Sequence, residues 1–208
     1  MSGSRRFRSL RRQVETKAPK PKIVIYSEGE KTERDYFEEM RRAFHSVVVD
    51  IEIIEGAGVP LTIAKEVAQA AQLARRWDRR QSYTTRDEFW AVFDRDEHPN
   101  VPEAISRCED AKVHVAFSDP CFELWLILHF KDFDRPDHRH DVQQHLETLC
   151  GDYDHAKRKT TDCRKLMKFV AEAEQRAERQ WHRRKDEGDP PRRPFTTVYA
   201  LTRRIRDG

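Results

Sequence analysis

The stretch FWAVFDRDEHP, residues 89–99, decides the fold class, because it joins a strand pattern to a group of carboxylates. Residues 89–93 are apolar and rich in aromatic side chains, which predicts a short buried strand. Asp94 and Asp96 follow it directly. In parallel α/β sheets, ligands bind beyond the carboxyl ends of the strands. We therefore expect these two acids to lie at a ligand-binding edge of a sheet.

A second segment repeats this arrangement nearer the N-terminus. The apolar run IVIY at 23–26 predicts another buried strand, and SEGEKTERDYF follows it, so that Glu28 ends this strand as Asp94 ends the other. Hard carboxylate oxygens at one sheet edge suit Mg²⁺ or Mn²⁺. Asp94 and Asp96 would lie about 6.6 Å apart on an extended strand, which suits two ions, or one ion if the chain bends. The sequence therefore predicts a metal site at this edge, with Glu28, Asp94 and Asp96 as ligands.

Up to residue 131 the chain alternates predicted strands with predicted helices. The strands are expected at about 22–27, 47–54, 89–93 and 112–118, and a helix follows each of them. This order predicts a parallel sheet of about four strands with covering helices.

Three details of the predicted helices are specific enough to be checked. Thr32 is expected to cap the first helix, and the Asp119–Pro120 pair to cap and open the fourth. The helix at 61–79 is expected to bury a stripe that ends at Trp77.

The pattern changes after residue 131. The remaining helices, expected at about 140–150, 162–186 and 196–206, are polar and keep only narrow apolar stripes. We expect residues 1–20 to be a flexible basic arm, residues 21–131 an α/β core, and residues 132–208 a helical appendage packed on that core.

Composition narrows the class of protein. The chain has 208 residues, of which 37% are charged, and its 40 lysines and arginines are dense at both ends although the net charge is only +3. Such basic runs contact phosphates or form a solvated face. The four cysteines show no CxxC spacing, so we expect reduced thiols in a cytoplasmic protein. No apolar run approaches the roughly 20 residues of a membrane span.

Other motifs give weaker signals. His138, His140 and His145 lie near acids and could bind Zn²⁺, but no fourth ligand falls at a recognisable spacing, which favours a polar surface loop. Nucleotide-binding loops and serine-hydrolase elbows are absent from the sequence.

Four ordered blocks of the sequence resemble a known family. IVIYSEGEKTERDYF, WAVFDRDEHP, SDPCFELWLILHF and RRPFTTVYAL resemble RloB-like proteins, also called AbiLii-type, which have a Toprim-like fold. These are bacterial proteins linked to phage defence and restriction, and they commonly accompany an AAA-type ATPase. The chain departs from the pattern at Asp119 and Arg193, where the resemblance leads us to expect asparagine before proline.

The resemblance implies roles for individual residues. Glu28 would be a metal ligand or general acid/base, Asp94 and Asp96 would bind Mg²⁺, and Lys31 would stabilise charge on a phosphate in the transition state. The positions expected to support the site or to contact nucleic acid are Glu30, His98, Glu123, Lys157, Lys159 and Arg193.

Plain structural alternatives exist for several of these residues. Glu30 and Glu33 would complement the dipole of the first helix, and Lys31 would be solvated. Glu123 would make a buried polar contact with His129 or Trp125.

Three functions are compatible with these features. The leading one is a Mg²⁺- or Mn²⁺-dependent nuclease of bacterial anti-phage defence, working through abortive infection with an AAA-type ATPase partner. The alternatives are a phosphohydrolase that uses the DxD motif and a non-catalytic subunit of an ATPase complex. Each of these functions is compatible with a homo-oligomer.

Overall fold

The computed structural model describes residues 22–27, 31–45, 48–53, 59–79, 87–95, 100–154, 161–188 and 190–208. For residues 51–53 this description covers the backbone only. The ranges that follow refer to these parts of the chain.

The described residues form a mixed α/β fold around a sheet of five strands in the order β2-β1-β3-β4-β5. The first four strands run parallel, as predicted from the alternating pattern, whereas the short fifth strand pairs antiparallel with β4. No sequence pattern indicated the fifth strand, because two residues are too few for a pattern. The strands are β1 (Lys22–Ser27), β2 (Val48–Ile53), β3 (Glu88–Asp94), β4 (His114–Asp119) and β5 (Phe195–Thr196).

Seven α-helices flank this sheet in the described ranges. Two 3₁₀ turns, Cys163–Lys165 and Met167–Phe169, lead into the sixth helix, which ends before the proline-rich segment as predicted. The helices are α1 (Thr32–Ala43), α2 (Pro60–Asp78), α3 (Val101–Asp110), α4 (Glu123–Leu128), α5 (Arg139–Leu149), α6 (Val170–Glu187) and α7 (Val198–Asp207).

The two faces of the sheet bury different cores. Trp90 and Val92 of β3 point to a face packed with side chains of α1, α4, α6 and α7. Ala91 and Phe93 point to the opposite face, where α2 and α3 pack. This split follows from the alternation of side chains along a strand. Both faces are covered, which explains why the strands are continuous apolar runs.

The first of these cores joins residues that lie far apart in the sequence. It contains Ile25 of β1 and Tyr36 of α1 together with Ala173 of α6 and Leu201 of α7. All six residues of α4 are buried, as expected for a helix that is apolar nearly all round. The C-terminal helices therefore complete the core on one face of the sheet.

Three predicted details of the helices are wrong. Lys31, and not Thr32, precedes the helix, and Thr32 is the first helical residue. Asp119 ends β4, and α4 begins only at Glu123, because the Asp119 carboxylate pairs with an arginine instead of capping a helix. Trp77 is 64% exposed, because α2 packs against the sheet through its first half.

Three arginines of the basic C-terminal run make ion pairs within the fold. Arg204 donates to both carboxylate oxygens of Glu88, with its Nε at 2.8 and 3.0 Å. Arg203 pairs with Glu178, and Arg206 with the buried Glu174. These arginines hold α7 against α6 and β3, so they are neither a phosphate track nor a freely solvated face.

Two bulk expectations can be compared with the structure. The cysteines Cys108, Cys121, Cys150 and Cys163 are all free, and three of them are buried. Within the described ranges, no helix combines the length and the apolar character that crossing a membrane requires.

Candidate functional site

The site is built around Asp94, the last residue of β3. Its side chain lies on the face covered by α1 and α4, because it alternates with Trp90 and Val92. The backbone N–H of Phe122, directly before α4, donates a hydrogen bond of 3.0 Å to Asp94 Oδ2. Asp94 is thus fixed between the sheet edge and the start of α4.

Glu123, the first residue of α4, brings a second carboxylate to this place. It is 5% exposed, and its Oε1 accepts hydrogen bonds from Tyr153 Oη at 2.6 Å and from Gln143 Nε2 at 3.0 Å. These two donors fix the position of the carboxylate. The sequence-based alternative of a buried polar contact is therefore right in kind, but the partners are Tyr153 and Gln143 and not His129 or Trp125.

His129 bonds to two other groups in the same core. It lies 3.0 Å from the Tyr36 hydroxyl through Nε2 and 3.0 Å from the Trp125 carbonyl oxygen through Nδ1. Because a carbonyl can only accept, Nδ1 carries the proton and Nε2 accepts from Tyr36.

The electrostatics of Asp94 are dominated by burial and by like charges. Burial raises the pKa of the Asp94 carboxyl well above its usual range, and the negative charges of Glu33 and Glu123 raise it further. The hydrogen bond from Phe122 and the positive charge of Arg139 oppose this shift. We call Asp94, Glu33 and Glu123 the acidic cluster. Carboxylates held together away from water favour a bound cation.

The groups next to the acidic cluster keep their protons. Burial raises the pKa of the Cys121 thiol well above its usual range, and the charges of Glu123 and Asp94 add to the effect. The pKa of Tyr153 is raised by burial and by the nearby Glu123. Cys121 is therefore poorly suited to act as a nucleophile, since the reactive form of cysteine is the thiolate.

The donor chemistry of the acidic cluster fits a divalent ion of the Mg²⁺ type, because its groups are hard carboxylate oxygens. Within the described ranges, no group of three or more histidine, cysteine, aspartate or glutamate residues is arranged to hold a metal. Asp94 would thus need ligands from elsewhere, and the predicted ligands Glu28 and Asp96 lie outside the described residues. Ser27, which directly precedes Glu28, ends β1 with Val92 of β3 as its neighbour.

Comparison with protein-family models identifies the chain from its sequence. The model described as RloB-like protein matches residues 23–205, which is most of the chain. The chain belongs to the RloB-like family. A search of curated proteins and a search of solved structures each returned no significant match.

The remaining predicted site residues of this RloB-like chain have different outcomes. Lys31 is exposed at the start of α1, and Glu123 lies beside Asp94 as described above. Arg193 is on the other face of the sheet. Five further residues lie outside the described ranges: Glu30, His98, Lys157, Lys159 and Asp96.

Three residues of the site were not assigned to it from the sequence. Glu33 was given a helix-dipole role, yet its charge acts on Asp94. Arg139, the first residue of α5, is the cation that acts on Asp94 and Tyr153. Tyr153 is buried and donates a hydrogen bond to the Glu123 carboxylate. Only the packing of α4 and α5 on the sheet brings these residues together, and no spacing in the sequence signals it.

The opposite face of the RloB-like sheet carries a different group at the same edge. Arg95 follows Asp94 and points away from it, and its Nη1 donates to Asp119 Oδ2 at 2.9 Å. Arg193 Nε lies 3.8 Å from Asp119 Oδ1. We call Arg95, Asp119 and Arg193 the arginine cluster. The two positions where the chain departs from the expected asparagines, Asp119 and Arg193, are thus neighbours in space and carry opposite charges.

Proposed function

We propose that this protein is a metal-dependent nuclease, in which Asp94 binds Mg²⁺ or Mn²⁺ together with Glu28 and Asp96, and phosphodiester bonds of nucleic acid are cleaved. The observation that carries the proposal is the buried Asp94 at the carboxyl end of β3, where the Phe122 N–H holds it and the charges of Glu33 and Glu123 act on it. Ligand sites of parallel α/β sheets lie at this end of the strands.

A bound divalent ion would supply Lewis-acid stabilisation of the phosphate and a more acidic bound water. The side chains of this chain would do the rest. Asp94, held by the Phe122 N–H, presents carboxylate oxygen at a fixed position. Glu123, held by Tyr153 and Gln143, adds a second carboxylate near the start of α4. Glu28 and Asp96 are proposed as the further ligands on sequence position alone.

Arg139 is the described residue best placed to bind the scissile phosphate. It begins α5, is partly buried, and its charge already acts on Asp94, Cys121 and Tyr153. A guanidinium presents N–H donors in a planar fork that matches phosphate oxygens. Lys31, which is exposed at the start of α1, would approach the same phosphate from the other side of Glu33.

Family membership supports the biological setting of the proposal. The resemblance to RloB-like proteins implies a role in bacterial anti-phage defence in the cytoplasm, with an AAA-type ATPase as partner. In that setting the ATPase would control access to the nuclease site.

The test is a cleavage assay with purified protein, alone and with an AAA-type ATPase of the kind that the resemblance implies. Wild-type protein is expected to nick nucleic acid with Mn²⁺ or Mg²⁺ and to lose this activity with a chelator. Asp94→Ala is expected to lower the rate by at least about 1,000-fold, as for loss of a principal electrostatic group. Asp110→Ala, which removes an exposed acid at the end of α3, is the matched control and should cleave normally.

Three outcomes would contradict the proposal. Equal cleavage by wild type and Asp94→Ala would assign the activity to a contaminant. Stable complex formation with the ATPase, together with no cleavage under any metal condition, would favour a non-catalytic subunit. Phosphate release from small phosphomonoesters, with a phosphoryl group trapped on Asp94, would instead favour a DxD phosphohydrolase.

A further inference from the structure

A cleft of about 570 Å³ opens on the face of the sheet opposite Asp94. It is lined by Phe117 of β4, Phe195 of β5, Ile105 of α3 and Trp181 of α6. Its size falls within the range of about 300–1,000 Å³ that is usual for sites of small organic ligands. The acidic cluster contributes no residue to it.

The aromatic side chains of the cleft form one continuous surface. The ring centroids of Trp181 and Phe195 are 5.0 Å apart, and those of Phe195 and Phe117 are 5.7 Å apart. Phe117 and Phe195 are almost fully buried, whereas Trp181 is partly exposed. A partly exposed indole that is held against buried rings offers a flat face on which a planar ligand can stack.

One cation lines the cleft, and two others contact residues next to it or in its lining. Arg95 lines it and is 50% exposed, and its guanidinium is held in place by the buried Asp119. Asp119 takes one of the five N–H donors that an arginine carries, so donors remain for an anion. Arg193 flanks the same carboxylate at 3.8 Å, and Lys185 Nζ lies 5.5 Å from the centre of the Trp181 ring. Glu109 is the acid in the lining.

We propose that this cleft binds one unpaired nucleotide, with its base against Trp181 and Phe195 and its phosphate on Arg95. The chemistry matches at both ends, since bases stack on aromatic faces and arginine binds phosphate. Asp94 and Arg95 are consecutive and face opposite sides of the sheet edge. A single strand that crosses this edge would therefore place a phosphate at the acidic cluster and a neighbouring base in the cleft. The cleft thus makes single-stranded or locally unpaired nucleic acid the substrate class of the proposed nuclease, and this part of the inference rests on the proposed function.

The experiment measures binding without cleavage. Fluorescence anisotropy of a labelled single-stranded oligonucleotide is recorded in a chelating buffer, with adenosine monophosphate as competitor. Ser106→Trp places a bulky group into the cleft from an exposed position of α3, and Trp181→Ala removes the stacking surface. Glu103→Trp, on the same helix but outside the lining of this cleft, and Trp77→Ala, an exposed tryptophan of α2, are the matched controls.

The two cleft variants are expected to weaken oligonucleotide binding by about tenfold or more, and the controls by less than about twofold. Displacement by the mononucleotide would identify a self-sufficient nucleotide site, and failure to displace would identify the strand as the ligand; both agree with the inference. Equal affinity of wild type, Ser106→Trp and Trp181→Ala would overturn it. Ser106→Trp removes no core contact, so the result does not depend on whether Trp181→Ala folds.

This outcome is separable from that of the proposed function. Binding of the strand through the cleft without any cleavage would support the nucleotide-binding cleft and contradict the proposed nuclease. Cleavage by a protein whose four variants all bind alike would support the nuclease and contradict the nucleotide-binding cleft.

Discussion

The acidic cluster and the arginine cluster lie at the same edge of one sheet and differ in how their charges are balanced. In the arginine cluster the buried Asp119 is flanked by two guanidinium groups, at 2.9 and 3.8 Å. In the acidic cluster the charges of Glu33 and Glu123 act on Asp94, and Arg139 is the cation that opposes them there. Asp94 and Arg95 are adjacent in the chain and face opposite sides of the sheet. A surface suited to a cation and a surface suited to a phosphate therefore begin one residue apart.

The largest expected difference is in the free energy of unfolding that is lost when one carboxylate is removed from each cluster. Glu123→Ala leaves the Tyr153 hydroxyl and the Gln143 amide buried without an acceptor, so we expect a loss of about 3 kcal/mol in the free energy of unfolding. Asp119→Ala leaves Arg95, which is half exposed and can turn to water, so we expect about 1 kcal/mol. Urea unfolding measures both.

Glu123→Gln is the matched control for the first variant. It keeps the volume and one acceptor, and it should lose less stability than Glu123→Ala. Equal losses for Glu123→Ala and Asp119→Ala would show that the two sides do not differ in the way we describe.

The second prediction concerns the core on the side of the acidic cluster. This core contains His129, and burial lowers the pKa of this histidine to about 4. Below pH 6.5 the folded state therefore binds fewer protons than the unfolded state. The contribution of His129 to the free energy of unfolding is fully present above that pH and is lost as the pH falls towards 4. We expect a loss of about 2 kcal/mol between pH 6.5 and pH 5 from this group.

Unfolding curves at several pH values measure this loss. His129→Gln should be less stable at neutral pH but should show a flatter decline in acid. His140→Gln, at an exposed position, is the control and should decline as the wild type does. Parallel declines for the wild type and His129→Gln would mean that His129 does not titrate as described.

The smallest expected effect separates binding from stability in the arginine cluster. Arg193 is 38% exposed and 3.8 Å from Asp119, so Arg193→Gln should change the free energy of unfolding by less than about 0.5 kcal/mol. If Arg193 contacts a phosphate, the variant should bind nucleic acid several-fold more weakly. The slope of log affinity against log salt concentration should also become shallower by about one.

Salt titration of oligonucleotide binding tests this, with the exposed Arg107 of α3, changed to glutamine, as the control. An unchanged salt dependence for Arg193→Gln would remove Arg193 from the binding surface.

The strands and the position of Asp94 could be predicted because they depend on local patterns. The run at 89–93 is apolar because both faces of β3 are covered, and the residue that follows it must then lie at the sheet edge. The alternation of strands and helices likewise predicted the parallel pairing of the first four strands.

The composition of the acidic cluster could not be predicted, because it depends on how separate helices pack. Glu33 reaches Asp94 because α1 lies on the same face as α4, and a glutamate in the first turn of a helix has the same local pattern whether or not it faces a site. Asp119 before proline has the pattern of a helix cap, and only the presence of Arg95 on the neighbouring strand shows its different role.

The most direct test of the account is Mn²⁺ binding by the wild-type protein and by Asp94→Asn, measured by electron paramagnetic resonance or calorimetry. Asn keeps the volume of the side chain and can still accept the Phe122 hydrogen bond, so the variant isolates the charge. The account predicts that the wild type binds Mn²⁺ and that Asp94→Asn binds it at least about 100-fold more weakly. No binding by the folded wild type, or equal affinity for both proteins, would contradict it.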